Sequence, residues 1–267
     1  MTKIGLAGVG RMGGGMLTNM RTNGIDAVGF DIRPASEFGN LPVSNDADDF
    51  AGGLTTLITV VRDTVQTDEV LFGPQGFVLR ATDLETIIVC STLSPKYVRA
   101  LRERIPDHIN LIDAPMSGAQ VGAIEGTLAF MVGGEDAAVS AAWPLFEAMG
   151  SNVHRMGGFG DGIQAKVLNN LLCASHTVMT RLILDWATDA DLDHGKLLAL
   201  IEKATGQNWF ASRFDQIEFA RQGYEAGNTI AILEKDVAAA LDAAPEAANT
   251  ALPELLKQML HDLEPMR

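Results

Sequence analysis

The chain has 267 residues, 47% of them hydrophobic and 20% charged, which fits one large globular domain or two modest ones and leaves little room for disorder. Its 34 acidic residues against 20 basic ones give a formal charge of −14, which argues against sequence-independent binding to nucleic acid or to an anionic membrane. An anionic small substrate stays compatible, because a few local groups hold one carboxylate.

The first half alternates two patterns. LAGV, DAVGF, LITVV, TIIVC, NLID and AFMVGG read as buried strands bounded by turn residues. Between them MGGGMLTNMRTN, DADDFA, DTVQTDEVLF, PKYVRALRER and DAAVSAAWPLFEAM read as helices. Such alternation predicts an α/β fold, a doubly wound and mainly parallel sheet with helices on both faces. HRMGGFGDG reads as a glycine-rich junction, and every later segment reads as helix. The first runs from about residue 162 to 189, with others near 193–204, 212–222, 229–243 and 251–263. The expected organisation is an α/β domain over 1–160 and an all-α domain over 161–267, begun by a long interdomain helix. Cys90 and Cys173 are the only cysteines and sit in apolar runs, so no disulfide framework is expected. KIGLAGVG opens the chain without the basic and apolar regions of a signal peptide. No apolar run approaches the ~20 residues that span a bilayer. The expected compartment is the cytosol.

GVGRMG places Gly8, Gly10 and Gly13 in G-x-G-x-x-G spacing around Arg11 and Met12. A strand precedes it, a helix follows, and Asp31 ends the next strand about twenty residues on, the context of a Rossmann dinucleotide site. Gly8 permits the tight turn, Gly10 admits a diphosphate to the backbone N–H groups, and Gly13 lets helix and strand pack. A carboxylate at Asp31 accepts from ribose hydroxyls and repels a 2′-phosphate, which favours NAD over NADP; Arg33 would soften that repulsion. In CSTLSP the hydroxyls of Ser91, Thr92 and Ser94 either cap the helix that Pro95 begins or meet the nicotinamide end of the cofactor. In DAPMSGA, Ser117 and the Gly118 N–H either form a turn or hold a carboxylate. GDGIQAKVLNNLL carries Lys166 and Asn170 one turn apart on an otherwise apolar helix. The five histidines show no metal-ligand spacing, and no metal is expected. Trp209 and Phe210 read as helix-packing residues or as a pocket wall.

Together these residues resemble the β-hydroxyacid dehydrogenases typified by 3-hydroxyisobutyrate dehydrogenase, from Ile4 to about Ala240. Four motifs occur in order: G-x-G-x-M-G-x-x-M at Gly8 to Met16, S-T-x-S-P at Ser91 to Pro95, D-A-P-x-S-G with G-T-L and G-G at Asp113 to Gly134, and G-x-x-x-K-x-x-N-N at Gly162 to Asn170. Lys235 and Asp236 match a later K-D pair. The resemblance implies that Lys166 is catalytic and that Asn170, Ser117 and Gly118 hold the substrate. It further implies that Thr92 lies near the nicotinamide, that Lys235 closes over cofactor or substrate, and that the chain forms dimers or tetramers. Departures are Ala119 for a second glycine, Arg62 for a proline, Cys90 for a polar residue, and an end at QMLHDLEPMR, short of the family's usual C-terminal tail. Oxidising a β-hydroxyacid needs a hydride acceptor, which NAD supplies, and removal of the hydroxyl proton. Lys166 either takes that proton as a neutral amine or stays charged and stabilises the alkoxide. Competing readings are a semialdehyde reductase, an imine reductase, a 6-phosphogluconate-type enzyme and a non-catalytic NAD-binding sensor.

Overall fold

A computed structural model describes residues 3–266. The chain divides into two compact units, Met1–Lys166 and Val167–Arg267.

In the first unit the strands are β1 (Lys3–Ala7), β2 (Ala27–Phe30), β3 (Val43–Ser44), β4 (Leu54–Thr59), β5 (Thr86–Val89), β6 (Asn110–Asp113), β7 (Met116–Ser117), β8 (Leu128–Gly134) and β9 (Gly150–Gly157). The first six are parallel in the order β3-β2-β1-β4-β5-β6, the arrangement of a dinucleotide-binding sheet. β8 extends it antiparallel to β6, β7 pairs antiparallel with β8, and β9 runs parallel to β8. The helices are α1 (Arg11–Thr22), α2 (Ala47–Ala51), α3 (Thr64–Leu71), α4 (Phe77–Arg80), α5 (Pro95–Arg104), α6 (Ala119–Glu125) and α7 (Asp136–Met149). Local chemistry starts several of them. Asp46 and Asp63 accept N–H groups from the first turns of α2 and α3. Ser94 caps α5 with Pro95 at its first position.

The core of this unit packs Met16, Leu17 and Met20 of α1 with Leu6, Phe130 and Phe146, all fully buried. Each such side chain contributes about 1.5–3 kcal/mol by leaving water. A second aromatic cluster, Phe30, Phe50 and Phe77, has ring centroids 5.0–5.3 Å apart. α1 also packs on α6 at very short range. A Cβ on Gly15 would lie 2.5 Å from the Ala123 carbonyl oxygen, and the Asn19 side-chain amide donates to that same oxygen at 2.7 Å.

The long helix α8 (Asp161–Asp189) begins in the first unit and continues into the second. The second unit adds α9 (His194–Lys203), α10 (Trp209–Ser212), α11 (Thr229–Asp242) and α12 (Ala251–His261), with Asp193, Asn208 and Asn228 as side-chain caps. Phe210, Phe214 and Phe219 pack with Ile230, Leu233, Val237, Leu256 and Leu260 as its core. Arg181 is buried, and its guanidinium donates to the carbonyls of Ala220, Gln222 and Glu264 at 3.0, 2.8 and 2.6 Å. Among the described residues no helix is long and apolar enough to cross a membrane.

Four local expectations change. Residues 154–157, read as junction, belong to β9, a largely exposed strand whose polar sequence hides it. The turn expected after Ser117 is followed at once by α6, which Gly122 had masked. α4 is a single turn with no amphipathic pattern to reveal it. The helix expected over 212–222 is a run of turns after α10, because Phe214, Ile217 and Phe219 reach the core without a continuous helix.

Candidate active site

The glycine loop joins β1 to α1. Gly8 has φ +100°, and a Cβ there would lie 2.5 Å from the Val60 carbonyl oxygen. At Gly13 a Cβ would lie 2.0 Å from the Gly8 carbonyl oxygen, so only glycine lets α1 approach the strand. Gly10 is the opposite case: an added Cβ meets nothing within 4 Å. Gly10 also ends the loop at the start of α1, with no side-chain cap and no acidic residue in the first turn. The open glycine and uncapped helix start can seat a diphosphate. Arg11 is exposed and Met12 half-buried at that turn.

Asp31, at the end of β2, is 9% exposed. One carboxylate oxygen accepts the Val9 N–H at 3.0 Å and an Arg33 nitrogen at 3.1 Å. The other accepts the Arg33 backbone N–H at 3.1 Å and its Nε at 3.0 Å. Burial alone would raise this acid, but the Arg33 hydrogen bonds and charge, with the Val9 N–H, outweigh it and hold Asp31 below the usual carboxylate range. Arg33 also lies over the Phe38 ring, 4.7 Å from its centroid.

At the end of β5, the Ser91 hydroxyl accepts the Val61 N–H at 3.1 Å. Ser94 serves as the helix cap, and Thr92 is half-buried between them. Cys90 is buried beneath this loop, and burial together with the Asp113 charge pushes its thiol up.

Asp113, at the end of β6, is fully buried. Its two oxygens accept the N–H groups of Gly160 at 2.7 Å and Ile163 at 2.6 Å, in the loop before α8 and its first turn. Burial pushes the carboxyl up to about 6, against the opposing pull of those two N–H groups, and the Asp161 charge adds to the rise. Arg99 of α5 adds a third tie by donating to the Gly160 carbonyl at 3.1 Å. One turn further on, Lys166 is only 6% exposed, and its ammonium donates to the Ser117 hydroxyl at 2.9 Å. Gly118, next to Ser117, has φ +134°, and Ala119 has φ +54°. Left-handed backbone costs an alanine about 1–2 kcal/mol, so Ala119 is strained here.

In the second unit Asn170 is 5% exposed. Its amide donates to Asp236 at 2.6 Å and accepts from Asn169 at 3.2 Å. Lys235 lies 2.8 Å from the other Asp236 oxygen; that contact is an ion pair whose angle is not that of a hydrogen bond. Phe210 is core, while Trp209 is 39% exposed.

Residues 3–158 match the family model described as the NAD binding domain of 6-phosphogluconate dehydrogenase. Residues 160–264 match the model described as the NAD-binding region of NADP-dependent 3-hydroxyisobutyrate dehydrogenase. The chain belongs to the β-hydroxyacid dehydrogenase family. It is 29% identical to a 3-hydroxyisobutyrate dehydrogenase of Pseudomonas aeruginosa, over 97% of this chain and 91% of that one. It is 31% identical to a 2-hydroxy-3-oxopropionate reductase of Escherichia coli, over 92% and 85%. The solved 3-hydroxyisobutyrate dehydrogenase of Mycobacterium tuberculosis with L-serine superposes with a TM-score of 0.80 at 26% identity, covering 99% and 96%.

As a β-hydroxyacid dehydrogenase the protein is an NAD-binding oxidoreductase that acts on hydroxyacids. Its structure brings Ser117 to Lys166 in the first unit, and Asn170 to Asp236 in the second. Lys235 is paired with its neighbour Asp236. Two residues escaped sequence reading except as motif letters, Asp113 and Asp236. Both are buried acids; Asp113 ends the apolar run NLID, where a charge was the available signal, whereas Asp236 lies among the charges of LEKDV and gave none.

Proposed function

We propose that this dehydrogenase interconverts a small β-hydroxyacid and its semialdehyde or keto acid, with 3-hydroxyisobutyrate as the first-ranked substrate. The observation that carries this reading is the buried Lys166 side-chain nitrogen, 2.9 Å from the Ser117 hydroxyl. NAD, when bound, would supply the hydride acceptor. Lys166, as the neutral amine, takes the hydroxyl proton in oxidation and as the ammonium returns it in reduction. Ser117, the Gly118 N–H and the Asn170 amide hold the carboxylate. The Asp236 contact fixes which way that amide points, and Lys235 balances the buried Asp236 charge. Gly8, Gly10, Arg11, Met12 and Gly13 seat the diphosphate, with Thr92 toward the nicotinamide. In this reading residues 1–160 form the dinucleotide-binding domain and 161–267 the substrate and oligomerisation domain.

The test is NADH formation from 3-hydroxyisobutyrate and L-serine, with reduction of 2-hydroxy-3-oxopropionate in the reverse direction. Turnover of 3-hydroxyisobutyrate with the highest kcat/KM supports the ranking. Preference for either other compound replaces the substrate but keeps the chemistry. NAD binding without turnover of any of them overturns the reading.

Asp31 is assigned to the adenosine ribose. Asp31→Ser should lower NAD affinity roughly 10-fold or more, the worth of a hydrogen bond to a charged group. It also releases Arg33 toward a 2′-phosphate, so NADP affinity should hold or rise. Titration of both dinucleotides decides it, and equal losses remove Asp31 from this role.

We also propose self-association through α8 in a cytosolic setting, which the two unbridged cysteines suit. Leu168, Leu172, Met179 and Trp186 follow one another at steps of four and seven residues, and each is at least half exposed. Such a stripe fits a second copy of the same helix. Sedimentation should give a dimer or tetramer that Met179→Glu dissociates; a monomer at tens of micromolar refutes it.

A further inference from the structure

We propose that Asp113 is the positioning residue of the lysine, its carboxylate seating the start of α8 so that Lys166 meets Ser117. This rests on the reading of Lys166 as the proton-transfer group.

The geometry has two grips on one segment. Asp113 takes the backbone of Gly160 and Ile163, six and three residues before the lysine. Ser117, four residues after Asp113, meets the lysine side chain. A helix start normally draws its cap from its own turn, but Asp161 accepts only the Gly158 N–H ahead of α8, at 2.9 Å. Asp113 therefore clamps the helix start from the sheet.

Glycines make room for it. A Cβ on Gly133 would lie 2.5 Å from one Asp113 oxygen, and on Gly162 2.9 Å from the other. The same Cβ atoms would lie 2.4 Å from the Gly158 carbonyl and 2.3 Å from that of Met131. Gly133 of the G-G pair and Gly162, the first glycine of G-x-x-x-K, thus line one slot around the aspartate.

The clamp works against stability. The group that acts on Asp113 by charge is the Asp161 carboxylate of α8, itself 3.5 Å from Arg99 of α5; the Cys90 thiol after β5, pushed up by burial and by the Asp113 charge, stays neutral. Neither is a close cation. The carboxyl is raised from 3.8 to about 6, so between those values the folded chain keeps a proton that the unfolded chain has released. Stability therefore falls as pH rises through that window and levels off above it. A neutral side chain would fold better, and the retained charge points to a demand of geometry.

The experiment is Asp113→Asn in the full chain. Asparagine keeps the size but sets an amide donor against one of the two N–H groups. The expected protein loses the fall in stability between pH 4 and 6. Its Gly160 or Ile163 amide exchanges faster. The kcat for 3-hydroxyisobutyrate or L-serine drops at least ~10-fold, toward the ~10²-fold cost of a 1 Å misplacement, with NAD affinity unchanged. In a Lys166→Ala background the substitution costs nothing further. Wild-type kcat with both amides still protected overturns the proposal, while an active Lys166→Ala enzyme overturns the parent reading instead. Should neither acid turn over, the [ε-¹³C]lysine resonance of Lys166 serves; an unmoved resonance in the variant refutes the clamp. If the variant does not fold, the wild-type protection factors at Gly160 and Ile163 decide: corrected for the intrinsic slowing of exchange with falling pH, they must drop as the Asp113 carboxyl takes its proton near pH 6.

Discussion

Lys166→Ala should lower kcat by ~10²–10⁴, the usual worth of a positioned acid–base group, while NAD affinity changes little. The glycine loop and Asp31 lie on other elements and lose nothing. Lys166 is buried, so the truncation also removes packed methylenes, and Lys166→Met is the control that keeps most of that volume. Both variants should be inactive, which separates proton transfer from packing. Lys166→Arg divides the two chemical roles. An arginine stays charged and cannot accept a proton, so useful activity in that variant favours stabilisation of an alkoxide, and none favours a neutral amine. Steady-state rates with a melting curve for each variant suffice. A Lys166→Ala enzyme with a third of the wild-type rate would end the assignment.

The second large effect is a contrast within the glycine loop. Gly13→Ala forces a methyl group against the Gly8 carbonyl, where a Cβ would lie 2.0 Å from the oxygen and 3.0 Å from Leu6. The obstacle is backbone, so the cost should reach the upper end of the ~1–3 kcal/mol for overpacking, a fall of roughly 6–10 °C in Tm. Gly10→Ala should behave in the opposite way. Its backbone is extended, with φ −82° and ψ −155°, which alanine adopts, and the methyl meets no protein atom. Stability should stay within ~0.5 kcal/mol, yet NAD affinity should fall at least ~10-fold, because the methyl stands where a diphosphate must approach. Calorimetry of folding and of NAD binding reads both. If Gly10→Ala binds NAD like the wild type, the loop is not the diphosphate seat.

Legibility followed burial. Strands buried on both faces announce themselves as apolar runs, so LITVV and TIIVC lead directly to β4 and β5. Pro95 and the spacing after it mark α5 from end to end, and DAAVSAAWPLFEAM coincides with α7. β9 did not announce itself because most of its side chains face water, and β7 has only two residues. At the site, Lys166 stood out as a lysine on an apolar helix. Its partner did not, because Ser117 is 49 positions away and only the folded sheet brings them together. Asp113 was harder still, since its contacts are backbone N–H groups that any residue could supply. Lys235 was expected from its motif to close over cofactor or substrate; in the folded chain it also pairs with the adjacent Asp236, a neighbour effect that a motif letter does not carry.

The close seat of α1 against α6 has a consequence for redesign. Ser117 and Gly118 lead straight into α6, the glycine loop leads straight into α1, and the two helices touch through Gly15, Asn19 and Ala123 with no spare layer between them. Grafting the 117–126 loop of a homologue to change acid preference therefore also rewrites the support under the dinucleotide. A transplanted loop with a bulkier residue at 123, or a displaced carbonyl there, would shift cofactor affinity along with substrate choice. Loop exchange in this scaffold has to carry positions 15 and 19 with it.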